Sequence, residues 1–330
     1  MTTIGHSQRV VFLDGAMVPS AVRAKPLSFD HEWVVHQRST PAQAIERATH
    51  ADILVVNKVC VDERLLAQAH RLKFVAVAAT GTDNVDLSAC EARGVSVSHV
   101  QGYAQVTLPE HTFALIFALR RSLFAYRDSV IQGRWQASGQ FCYFDFPIRD
   151  LNGATLGIVG DGALGRAVGH LGAALGMKVL YAERKHARVV RDGKTSFDDV
   201  LRLSDVISLH APLTPQTRHL IGAAEFAAMK RAPLLINTAR AGLVDEEALF
   251  DAMQDGSLSG AGFDVAQPEP PPPDSPLMRL LARPDFILTP HVAWASESAL
   301  QSLAAQVVEN IEYWAAGTPR RLVTTGGNKT

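Results

Sequence analysis

The stretch that most constrains this chain is residues 157–165, G-I-V-G-D-G-A-L-G. An apolar run at 154–159 leads into Gly160, Gly162 and Gly165, spaced G-x-G-x-x-G, and a segment of helical composition over 166–176 follows and stops at a glycine. In a strand–turn–helix unit the first glycine permits the sharp turn. The second lets the backbone approach a pyrophosphate, and the third lets helix and strand pack closely. Free N–H groups and a partial positive charge at the helix N-terminus then face the anion. The next apolar run, 178–182, ends at Glu183, eighteen residues past Gly165. An acidic residue there can accept from the two hydroxyls of an adenosine ribose. The pattern predicts a parallel α/β layer built around a dinucleotide. A tight turn without a ligand is the alternative reading of the glycines alone.

With 330 residues there is room for two domains. A separate α/β series precedes the glycine turn. Runs at 10–13, 53–56, 72–79 and 95–100 read as strands, and 61–70 and 85–93 as helices. Thr40, Pro41 and Gln43 open another helix with a capping box. One long apolar helix is expected over 109–126, at a domain or subunit boundary, followed by an aromatic-rich irregular segment over 132–150. Past the glycine turn, strands are expected at 178–182, 205–210, 234–237, 260–265 and 286–288. Helices are expected from Ser196 to Ser204, over 245–254 and over 296–316. The closing helix has no strand after it, and the first series ends on a strand without a covering helix. The expectation is therefore an insertion, with residues 1–102 and 297–330 forming one domain and 103–296 the dinucleotide-binding domain.

Composition narrows the partners. Thirty-two basic and 33 acidic residues leave a formal charge of -1, which argues against nucleic acid or a membrane surface. No run of 18 apolar residues is present, and residues 1–8 lack the apolar core of a signal peptide. Three widely spaced cysteines without C-x-x-C fit a reduced, cytoplasmic protein, and no metal is expected.

Ligands of doubly wound sheets bind beyond the C-terminal ends of the strands. Arg240, Asp264 and His291 each close a strand there, and Glu269 follows Asp264 in a loop. Each has a bland reading as a solvated or structurally satisfied residue. Together they match one chemical demand. Hydride addition to a ketone leaves an alkoxide that needs a proton, and imidazolium suits this near neutral pH. A neighbouring carboxylate favours the imidazolium and fixes its tautomer. A guanidinium can bind a substrate carboxylate bidentately.

The sequence resembles the D-isomer-specific 2-hydroxyacid dehydrogenase family, with its glycerate dehydrogenase and hydroxypyruvate reductase branch nearest. The likeness rests on A-A-T-G-T-D-N-V-D at 78–86, G-D-G-A-L-G at 160–165, L-H-A-P-L-T at 209–214, N-T-A-R at 237–240, D-V-A-Q-P-E-P at 264–270 and H-V-A-W at 291–294. The resemblance implies a Rossmann NAD-binding domain inserted into a flavodoxin-like substrate domain. It implies that His291 is the acid/base, Glu269 its partner, and Arg240 the group on substrate carboxylate and carbonyl. Gly160, Gly162, Ala163, Leu164, Gly165, Glu183, His210, Thr238, Ala239 and Asp264 would line the cofactor. Thr80 and Gly81 would hold the substrate carboxylate through backbone N–H groups, with Lys58 and Trp294 as further substrate contacts. Glu183 favours NAD, while Arg184 and Lys185 beside it leave NADP open. The implied reaction is reduction of a small 2-keto acid, hydroxypyruvate or glyoxylate first, by a cytoplasmic homodimer. A reductase of bulkier keto acids is one alternative. A nucleotide-sensing interaction protein, as in the related transcriptional corepressors, is another. Two departures stand out: Ala241 replaces the usual glycine after the arginine, and L-P-E at 108–110 replaces V-A-E.

Overall fold

The computed structural model describes residues 7–19 and 21–323. Contacts divide the chain into two compact units, Met1–Tyr103 with Ser296–Thr330, and Ala104–Ala295.

In the first unit the chain runs β1 (Gln8–Phe12), β2 (His31–Val35), α1 (Pro41–Ala48), β3 (Ile53–Val56), α2 (Glu63–Gln68), β4 (Phe74–Val77), α3 (Leu87–Ala92) and β5 (Ser96–His99). The strands form one parallel sheet in the flavodoxin-like order β2-β1-β3-β4-β5. β3 and β4 are buried at every position, because helices cover both faces, and they read accordingly as unbroken apolar runs. β2 is an edge strand of mixed burial, and no apolar run announces it in the sequence. α1 begins with the capping box: Thr40 Oγ1 accepts from the Gln43 N–H, and the Gln43 side chain accepts from the Thr40 N–H. The last helix among the described residues, 297–315, belongs to this unit. Its Leu303, Val307 and Ile311 are buried, and its Trp314 stacks on Phe74 with ring centroids 5.0 Å apart.

The second unit opens with α4 (Thr107–Arg120), α5 (Leu123–Ile131) and α6 (Arg134–Ser138). It continues with β6 (Thr155–Val159), α7 (Ala163–Ala174), β7 (Lys178–Tyr181), α8 (Phe197–Leu203), β8 (Val206–Leu209), α9 (Ala223–Ala228), β9 (Leu234–Asn237), α10 (Glu246–Gln254), β10 (Gly260–Phe263), α11 (Pro276–Leu280) and β11 (Phe286–Leu288); the chain then passes into α12 (Glu297–Ala315). All strands are parallel, in the order β11-β10-β9-β8-β6-β7. Outside β7, Thr195 makes a single parallel bridge to Ala182, where a Rossmann sheet carries its outer strand. The order reverses between β6 and β8, so the crevice of this sheet lies at the glycine turn.

The single long helix expected over 109–126 is two helices. The chain breaks after Arg121, where Ser122 takes a left-handed conformation (φ 48°) and donates its hydroxyl to the Pro147 carbonyl. That bond spans 25 residues, so local periodicity does not reveal it. α4 buries Phe113, Leu115 and Ile116, and packs on α7, β9 and β10. The segment after it is less irregular than expected, since it contains α6 and a cluster in which the Tyr126 hydroxyl donates to the Phe146 carbonyl at 2.9 Å. Among the described residues no helix is long and apolar enough to cross a membrane.

Gly157, in the middle of β6, sets how closely α8 lies on the sheet. A Cβ there would stand 2.6 Å from Val200 Cγ1 and nearer still to Ser204 Oγ. Gly157→Ala is expected to cost about 1–3 kcal/mol by overpacking. The urea midpoint of unfolding measures this, and an unchanged midpoint would show that α8 yields freely.

Candidate active site

The glycine turn has the form its spacing requires. Gly160 holds φ +100°, and a Cβ on it would lie 2.6 Å from the Ala211 nitrogen and the His210 carbonyl, so the crossing of β6 and β8 admits only glycine. A Cβ on Gly165 would run into the Gly160 carbonyl oxygen, which fixes α7 tight against the turn. Gly162, by contrast, faces open space, with nothing within 4 Å of a Cβ. It is the N-cap of the twelve-residue α7, whose first residues are Ala163 and Leu164. These are the features a pyrophosphate needs: bare backbone, free N–H groups and room. Asp161, between the glycines, is neutralised by the Lys194 ammonium, which holds its carboxyl below the usual range. His210, at the C-terminal end of β8, shares a hydrogen bond with the Ser208 hydroxyl at 2.8 Å, and burial pushes its imidazole down to about 4.

Glu183 sits two residues beyond β7 and is only 5% exposed. Its carboxylate is ion-paired with Arg191, at 2.6 Å from Nε and 2.7 Å from Nη2, and also accepts from the Arg184 N–H at 2.8 Å. These donors, with the Arg191 guanidinium first, pull the carboxyl down to about 2.

The adjacent parallel strands β9, β10 and β11 deliver the remaining polar groups to the same rim. Asn237, fully buried at the end of β9, accepts from the Ala239 N–H at 3.1 Å and donates to the Arg240 carbonyl at 3.0 Å, and so shapes the turn from which Arg240 projects. The Thr238 hydroxyl is bonded to that of Thr112 on α4 at 3.2 Å. Ala241 enters a 3-10 turn without a positive φ, so a glycine is not required there. Asp264 follows β10 and is 1% exposed. It accepts from the N–H groups of Val292 (2.9 Å) and Ala293 (2.8 Å) and from the Thr289 hydroxyl. Those bonds clamp the turn after β11, in which His291 adopts a left-handed φ of 56°. His291 Nδ1 lies 2.9 Å from Glu269 Oε1 and 2.8 Å from Oε2. A carboxylate only accepts, so Nδ1 carries the hydrogen and Nε2 is left for substrate. Glu269 lies in a loop flanked by Pro268 and Pro270 and accepts from the Ala266 N–H at 3.2 Å. The Trp294 indole donates to the His291 carbonyl at 2.8 Å.

The first unit holds the other expected residues. Lys58 is exposed after β3, and its N–H is bound by Asp14, which also accepts from the N–H groups of Asn57 and Val59. Thr80 and Gly81 follow β4. The Thr80 carbonyl accepts from buried His99 Nδ1 at 2.8 Å, and His99 Nε2 accepts from Gln101 at 2.7 Å.

Residues 113–293 match the model of the D-isomer specific 2-hydroxyacid dehydrogenase NAD-binding domain. The chain belongs to the D-isomer specific 2-hydroxyacid dehydrogenase family. A glycerate dehydrogenase of Methylorubrum extorquens is 47% identical over 96% of this chain and 99% of its own length. A hydroxypyruvate reductase of Blautia hydrogenotrophica is 31% identical over 96% and 99%. Among solved structures, D-lactate dehydrogenase of Aquifex aeolicus in complex with NAD and lactic acid is 30% identical, with a TM-score of 0.80 over 94% of this chain and 96% of that one. The matched domain is a NAD-binding domain, and the open cradle at Gly162 fits that cofactor.

For a member of this family, several groups at the site were not apparent from sequence. Arg191 and Lys194 lie in an irregular loop with no motif of their own. His111 and Thr289, which share a hydrogen bond at 3.0 Å, are 178 positions apart. Asp264 is the group on which the His291 turn most depends. Asp264→Asn would set an amide NH2 against backbone N–H donors, at a cost of about 1–3 kcal/mol. The expected outcome is a fall in kcat of about tenfold or more with a lowered melting temperature. Wild-type kcat in that variant would show that the clamp does not position His291.

Proposed function

We propose that this chain reduces a small 2-keto acid to the D-2-hydroxy acid and runs the reverse oxidation, with hydroxypyruvate or glyoxylate as favoured substrates. The observation that carries the reading is the Glu269–His291 pair at 2.8 Å, on the rim where N-T-A-R ends in Arg240, in a unit built to hold NAD. Bound nicotinamide supplies the hydride. His291 Nε2 holds the proton that the developing alkoxide takes, and Glu269 keeps Nδ1–H oriented and offsets the imidazolium charge. Arg240 binds the carboxylate and polarises the carbonyl with its planar fork of donors. Backbone N–H groups at Thr80 and Gly81 take the substrate carboxylate, and Lys58 and Trp294 contact substrate. Thr238, Ala239 and His210 line the cofactor, together with Ala163, Leu164 and Asp264.

The protein works as a cytoplasmic homodimer in this reading. Cys60, Cys90 and Cys142, far apart in the sequence and without a C-x-x-C pair, suit a reducing compartment. Phe141 and Phe144, 89% and 81% exposed, together with the exposed Phe124 and Ile131, are apolar side chains of this unit that a second copy would cover.

Replacing His291 with asparagine is the sharpest test. NADH should still bind within a few-fold of wild type by fluorescence titration, while kcat for hydroxypyruvate falls about 10²–10⁴-fold. Wild-type reduction by this variant would remove His291 from the role. A native enzyme that oxidises no reduced nicotinamide with any small 2-keto acid would end the reading altogether.

A further inference from the structure

Selection of NAD over NADP at a Rossmann site uses an acidic residue in two ways. Its free lone pairs accept from the 2′- and 3′-hydroxyls, and its negative charge repels a 2′-phosphate. Glu183 occupies that position but is committed elsewhere. Oε1 accepts from the Arg184 N–H and from Arg191 Nη2, and Oε2 accepts from Arg191 Nε and from the Arg191 N–H at 3.3 Å. A carboxylate offers about four lone-pair sites, so two ribose hydroxyls find none free. Its charge is cancelled by the bidentate guanidinium.

The surrounding loop is basic. Residues 184–194 contain Arg184, Lys185, Arg188, Arg191 and Lys194 against Asp192 alone. Two of these cations are occupied: Lys185 pairs with Glu225 at 2.8 Å, and Lys194 with Asp161. Lys185 is thereby turned to a different carboxylate and is unavailable to a ligand. The side chain of Arg191 is 57% exposed even while it holds Glu183. Arg184 and Arg188 are exposed, and no carboxylate among the described residues pairs with either. Net charge at the ribose end is therefore positive, in the form of guanidinium groups, which bind phosphate through paired donors.

We propose that the ribose end of this site is a phosphomonoester subsite, in which Arg191 and Arg184 receive a 2′-phosphate, so that NADP(H) binds at least as tightly as NAD(H). Glu183 acts there as a positioning residue that holds Arg191 in place. The proposal takes the nucleotide from the dehydrogenase reading, but its test needs no keto acid, so either can fail without the other.

The test is calorimetric titration of the purified protein with AMP and with adenosine 2′,5′-bisphosphate, followed by NADH and NADPH. The bisphosphate is expected to bind at least tenfold more tightly than AMP, with a steeper loss of affinity in added salt. That advantage should disappear in Arg191→Gln and shrink in Arg191→Lys, which keeps the charge and loses the fork. AMP affinity reports whether each variant is folded, and Arg184→Gln is the second variant should Arg191→Gln not fold. NADPH should follow the bisphosphate. Equal affinity for AMP and bisphosphate in the native protein, or an advantage that survives in both glutamine variants, overturns the proposal.

Discussion

The Asp264 carboxylate, buried to 1% exposure, is the interaction on which the chemistry of this fold rests. A charge so placed must be met by donors, and here they are the Val292 and Ala293 N–H groups and the Thr289 hydroxyl. Meeting them forces the chain after β11 into a tight turn. His291 is held there in a left-handed conformation, φ 56°. The side chain that results meets Glu269, delivered from the loop after the neighbouring strand β10. Parallel pairing of β9, β10 and β11 makes this economical, since all three C-terminal ends fall on one rim.

At the other side of the crevice, three glycines act in two different ways. Gly160 and Gly165 exclude a Cβ because backbone already occupies that space, whereas Gly162 leaves its space open for a ligand. Glu183 looks from sequence like a hydroxyl acceptor, but the fold gives it a second identity as an anchor for Arg191. An acidic residue at the end of the second strand therefore does not by itself indicate which nucleotide is bound. What matters is which donors already surround it.

Much of the fold was legible in the sequence because the signals were local. Strands 53–56, 234–237 and 286–288 fall where their apolar runs lie, and Thr40, Ser196 and Ser296 cap their helices through the expected side-chain bonds. β2, α9 and α11 were not legible, being five or six residues long with weak periodicity. The break at Ser122 depends on a partner 25 residues away, so 109–126 reads as one helix. In the candidate site, Arg240 and His291 were apparent as polar residues at strand ends and Glu269 as an acid in the loop after Asp264. The contacts that orient them were not, because Asp264 and Val292 are 28 positions apart, and Arg191 reaches Glu183 across a loop with no pattern.

Direct hydride delivery to one face of a keto acid, with the proton drawn from His291, is the central chemical assignment. A single-turnover reaction of hydroxypyruvate with NADH dideuterated at nicotinamide C4 reads it most directly. D-glycerate carrying deuterium at C2 is the expected product. Glycerate of the L configuration, or a product without deuterium at C2, would contradict the assignment.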